Sequence, residues 1–87
     1  MSEVTYFVVQ AFAPARRGRV VPGEAREARS AAEAVHLAER LGAAAGAVAL
    51  ARTCDPSVGS TGDAVVLARV GDLPAEALEW AVRHGSA

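Results

Sequence analysis

The chain has 87 residues, of which 52% are apolar and 22% charged, and its formal net charge at pH 7 is -1. That length suffices for one domain with a thin core, because a chain of this size buries only about 60% of the surface its unfolded form exposes. The near-neutral balance argues against a surface built as a whole to hold nucleic acid or anionic lipid, since both require a summed positive field. All nine basic residues are arginine and alanine is abundant, a bias that reads as a mark of GC-rich coding DNA. A single cysteine leaves no internal disulfide framework and no cysteine-rich zinc site, as expected of a protein of the reducing cytoplasm.

The first element spans Glu3 to Phe12, rich in β-branched and aromatic residues. The spacing predicts a strand apolar on both faces, with Val4, Tyr6, Val8 and Phe12 on one side and Phe7, Val9 and Ala11 on the other. The same stretch has the apolar run of a secretion signal, but Ser2 and Glu3 bring no positive charge and Gln10 interrupts it. It is also too short to span a membrane. The segment "APARRGR" brings Pro14 and Gly18 as turn residues and sets Arg16, Arg17 and Arg19 at a hairpin tip; "VVPGEAREAR" follows as an irregular second strand broken near Pro22 and Gly23.

"SAAE" is a capping box, in which the Ser30 hydroxyl accepts from the Glu33 amide while the Glu33 side chain reaches back. A helix is predicted from Ala31, burying Ala34, Leu37, Ala38 and Leu41 and stopping at Gly42 or Gly46. "AVALART" and "DAVVLARV" then read as a β-hairpin with a long loop of turn residues. After "GDLP", a last helix is predicted with Asp72 or Leu73 as its cap, Pro74 in its first turn and Leu78, Ala81 and Val82 inward. The predicted fold class is therefore α+β, an antiparallel sheet of about four strands in the order β-β-α-β-β-α, with the helices mainly on one face. The opposite face then needs the second helix to wrap around, a wet coat of alanine and arginine, or a second subunit. A homodimer covering Phe7 and Val9 is the favoured expectation.

The candidate chemistry is sparse. A nucleophilic Cys54 needs a nearby base, and the two histidines, His36 and His84, fall on the outer side of the first helix and in the last turn of the second. No catalytic residue, metal site or cofactor is expected, because Cys54, His36 and His84 lie on three separate elements. Cys54 instead stands where it can pair with its twin across a two-fold axis, or remain an unremarkable thiol. "GSTGD" lacks the lysine and helix N-terminus of a phosphate loop, and Asp55, Asp63 and Asp72 match no calcium-binding spacing. "RRGR" is the most functional-looking stretch: three guanidiniums at one tip suit a phosphate, an acidic protein surface or the protein's own carboxylates. No aromatic stacking platform accompanies them, which disfavours direct nucleic-acid binding.

The stretches "TYFVVQAF", "RRGRVVPGEAREARSAAEA" and "RTCDPSVGSTGDAVVLARVG" resemble a family of short bacterial and prophage-encoded proteins over most of the chain. Such families carry a small polar residue or glycine where Cys54 stands, which makes the thiol particular to this chain. The small size and the lack of a reactive constellation also look like phage-encoded anti-CRISPR proteins that act on type I-C effector complexes. That resemblance implies a cytoplasmic inhibitor that binds protein subunits of the complex and keeps target DNA off it without turnover. Arg16, Arg17 and Arg19 would then grip an acidic patch; against a basic DNA-binding groove, Asp72, Glu76 and Glu79 of the last helix become the contact. The alternative is a small regulatory or nucleic-acid-binding module acting through the arginine tip.

Overall fold

The structure, a computed structural model, describes residues 4–43, 45–55 and 60–84, the positions 60–63 by backbone alone. Strand β1 (Val4–Pro14) is followed by β2 (Val20–Ala28), α1 (Ala31–Leu41), β3 (Ala47–Asp55), β4 (Ser60–Val70) and α2 (Ala75–His84). The four strands form one antiparallel sheet in the order β2-β1-β3-β4, which is the α+β architecture expected. β1 and β3 lie at its centre, and both are apolar on each face, as a central strand covered on two sides requires.

Alternation along these strands divides the core in two. On one face Val9 and Ala11 of β1 and Ala47 and Ala49 of β3 meet Ala34, Leu37 and Ala38 of α1. On the other, Phe12, Val48 and Leu50 meet Leu73, Ala77 and Ala81 around α2. The helices thus do not gather on one face: α1 and α2 cover opposite sides, because residues of both parities in β1 and β3 are greasy and each set needs cover. The second helix supplies the layer for which a second subunit was expected. Phe7 and Val9 belong to the α1 side, where Val9 is fully buried and Phe7 half-buried, so they do not form a free dimerisation face.

Local sequence explains how the elements start and stop. Ser30 is extended (φ -152°, ψ 166°) and its Oγ accepts from the Glu33 amide at 3.1 Å, so α1 begins where the capping pattern placed it. The helix closes at Gly42, whose amide donates to the Ala38 carbonyl at 2.8 Å. α2 begins one residue after Pro74, whose carbonyl accepts from the amides of Ala77 (3.0 Å) and Leu78 (3.4 Å); Pro74, not Asp72 or Leu73, holds the cap position. Leu73 is instead buried beneath the helix. Between α1 and β3, Gly46 has φ +127°, and a Cβ there would fall 2.6 Å from Leu73 Cδ2 and 2.7 Å from the Val70 carbonyl oxygen. Only glycine fits where this connection passes the one leading to α2.

β2 is not broken at Pro22 and Gly23. It continues across a bulge in which Ala11 of β1 stands against Gly23 and Glu24, between the pairs Gln10–Ala25 and Phe12–Pro22. An edge strand tolerates a proline because one side of its ladder is unused. Gln10, the buried polar residue of the core among the described residues, fills the bulge: its Nε2 donates to the carbonyls of Ala11 (2.8 Å) and Gly23 (3.2 Å), with that of Glu24 at 3.5 Å.

Candidate functional site

The tip of the β1–β2 hairpin is a tight turn over Arg16, Arg17, Gly18 and Arg19. The Arg19 amide donates to the Arg16 carbonyl at 3.2 Å, and the Ala15 amide to the Arg19 carbonyl at 2.8 Å. Arg17 (φ 61°, ψ 39°) and Gly18 (φ 72°) are both left-handed, the signature of a type I′ turn, whose twist matches that of the strands it joins. Gly18 adopts this conformation freely, but an arginine there costs about 1 kcal/mol. The turn carries three exposed arginines, and among the described residues no ion pair involves any of them.

Beside the tip, α2 crosses the same end of the sheet. Between the two runs an open groove of about 310 Å³. Arg19, Val20 and Pro22 form its hairpin wall, Glu76 and Trp80 its helical wall, and Phe12 lies at its base. Trp80 meets Phe12 edge-to-face, with ring centroids 6.3 Å apart and planes at 77°. On its other side it stacks on His84 at 4.8 Å, and His84 Nδ1 lies 3.2 Å from the Trp80 carbonyl oxygen. The helix is fastened at its last turn by Arg52 of β3, whose guanidinium donates to the Val82 carbonyl; a cation at that end also meets the negative pole of the helix.

Of the residues singled out from sequence, Arg19 and Glu76 are brought together on opposite walls of this groove, while Arg16 and Arg17 belong to the adjoining turn and do not line it. Asp72 is exposed in the connection before α2, and Glu79 is exposed on the helix. The aromatic component was missed. Its signal was present: Glu76, Trp80 and His84 recur at four-residue spacing, so they share one flank of α2, and Trp80 is the only tryptophan in the chain.

Cys54 lies elsewhere, half-buried on β3, where it faces Val4 on one side and Thr61 on the other. It shares the sheet face of Leu50, so α1 and its exposed His36, which contacts Glu39 at 3.6 Å, are across the sheet from it. Among the described residues no three His, Cys, Asp or Glu side chains are grouped to hold a metal ion. Residue 59 of "GSTGD" and the side chains of positions 60–63, Asp63 included, lie outside the described residues; the backbone of 60–63 opens β4. Among the described residues, no helix is long and apolar enough to cross a membrane.

Fold and groove together define a small α+β domain carrying a charged, aromatic-based groove at one end of a two-sided sheet. No family model, curated protein or solved structure matches the chain.

Proposed function

We propose that this chain is a non-enzymatic binding protein that acts by occupying a surface of its partner. Following the resemblance drawn from the sequence, the partner is a protein subunit of a type I-C CRISPR effector complex, whose path for target DNA is blocked. One observation supports the binding reading above all. The arginine tip and the acidic flank of α2, far apart in the chain, flank one groove, with Arg16, Arg17, Arg19, Asp72, Glu76 and Glu79 all exposed and free of ion pairs among the described residues. Unsatisfied charges of both signs around an apolar base give orientation to a protein contact, since complementary charge steers association and penalises wrong partners.

The test is a pull-down from a lysate containing the effector complex, with tagged wild type beside a variant in which Arg16, Arg17 and Arg19 are all changed to glutamate. Wild type should retain effector subunits and suppress their binding to target DNA, and the variant should do so at least about tenfold less well. Equal recovery by both forms would move the contact away from the tip. Failure of wild type to retain any effector subunit would overturn the assignment of partner. Steeply salt-dependent binding of unrelated DNA or RNA by wild type would favour the nucleic-acid module instead.

A further inference from the structure

We propose that the groove between the hairpin tip and α2 receives a short segment of a partner protein in which carboxylates stand next to an aromatic side chain. This inference rests on the binding reading above and gives the chemistry of what is bound. The aromatic group seats on Phe12 and Trp80, whose edge-to-face packing leaves Trp80 half-buried and Val20 and Pro22 opposite it. A further ring can join such a pair in an offset or edge-on arrangement. The groove volume of about 310 Å³ is at the small end for ligand pockets, which begin near 300 Å³, and suits a side-chain anchor more than a large ligand.

Charge fixes the direction and the class of the occupant. The carboxylates meet Arg19 on the groove wall and Arg16 and Arg17 of the adjoining turn, whose planar guanidiniums donate paired hydrogen bonds to them. Glu76 stands on the opposite wall, with Glu79 exposed on the same helix. A nucleic-acid strand, charged at every phosphate, would have to pass those glutamates, whereas a peptide can confine its carboxylates to the arginine side. The backbone of Arg17 bears independently on this point. A type I′ turn favours asparagine or glycine at the position Arg17 occupies. An arginine held there against its backbone preference is explained by what its side chain does, and strain of this kind collects at binding sites.

Trp80 is the sole tryptophan, so its emission reports occupancy of the groove. The intact protein is titrated with a synthetic peptide of aspartates followed by a phenylalanine, with a counterpart carrying lysine in place of aspartate, and with oligothymidylate. The acidic peptide should give a saturable change in emission that the lysine peptide does not. Arg19→Gln should weaken it about tenfold, and Glu76→Gln should tighten it about threefold by removing a like charge. Thermal unfolding of each variant establishes that it is folded. The inference is overturned if the acidic peptide gives no saturable change up to millimolar concentration, if the lysine peptide binds equally, or if oligothymidylate displaces the acidic peptide. The pull-down separates this result from the choice of partner. Effector recovery without peptide binding leaves the inhibitor reading standing and removes the groove; peptide binding without effector recovery keeps the groove and removes the effector.

Discussion

Arg17 is the residue whose conformation and chemistry disagree most. Replacing it with asparagine, which adopts left-handed backbone at little cost, should raise stability by about 0.5–1 kcal/mol, read as a higher urea midpoint with an unchanged slope. The same variant should bind the partner less well, so stability and binding move in opposite directions. From the sequence, "RRGR" was legible as a tip bearing three arginines, but the turn type was not, because arginine is not a residue that announces a type I′ turn. Gln10 was legible only as an interruption of an apolar run. In the fold it supplies the donor that the bulge carbonyls of Ala11 and Gly23 use. Gln10→Leu keeps the volume but removes that donor, and should cost about 1–3 kcal/mol in denaturant unfolding.

At the scale of elements, the capped helix was the most legible part of the chain. Ser30→Ala should lower stability by about 1 kcal/mol, and Ser30→Asp, which keeps an acceptor, should restore most of it. α2 was legible as a helix but not in its placement. Periodicity identifies which flank of a helix is buried and says nothing about which face of a sheet receives it. That choice was made by Phe12, Val48 and Leu50, which needed cover on the side away from α1. Arg52 then pins the end of α2 through the Val82 carbonyl, a contact between distant elements that no local pattern encodes. Arg52→Ala should therefore speed amide hydrogen exchange in α2 by about tenfold while α1 is unaffected, since local opening is governed by the contacts that hold each unit.

For the molecule as a whole, the two halves of the core differ in kind. The α1 side is built largely of alanines, Ala11, Ala28, Ala34, Ala38, Ala47 and Ala49, whereas the α2 side carries Phe12, Leu50, Leu73 and Trp80. Alanine read from composition alone looked like a coding bias; in the fold it lines the helix–sheet contact. Ala49→Leu should overpack that layer and cost about 1–3 kcal/mol, whereas Leu50→Ala, one residue on and facing α2, should cost about 2–5 kcal/mol by opening a cavity. Val9, fully buried beneath α1, gives a decisive variant for assembly. Val9→Asp should unfold the chain, seen as loss of circular dichroism and a lowered melting temperature, and should not yield a folded monomer.

The strand order β2-β1-β3-β4 also governs what a ribosome exposes. β1 is made first and finds β2 at once, but its other edge pairs with β3, as in Phe7 with Ala51 and Ala11 with Ala47. Until the segment Ala47–Asp55 has left the exit tunnel, a nascent chain presents one side of its most apolar strand with its amides and carbonyls unpaired. At synthesis rates of about 5–20 residues per second, that interval lasts for seconds, and it is the period in which ribosome-associated chaperones, or a neighbouring nascent chain, have access to the centre of the future sheet.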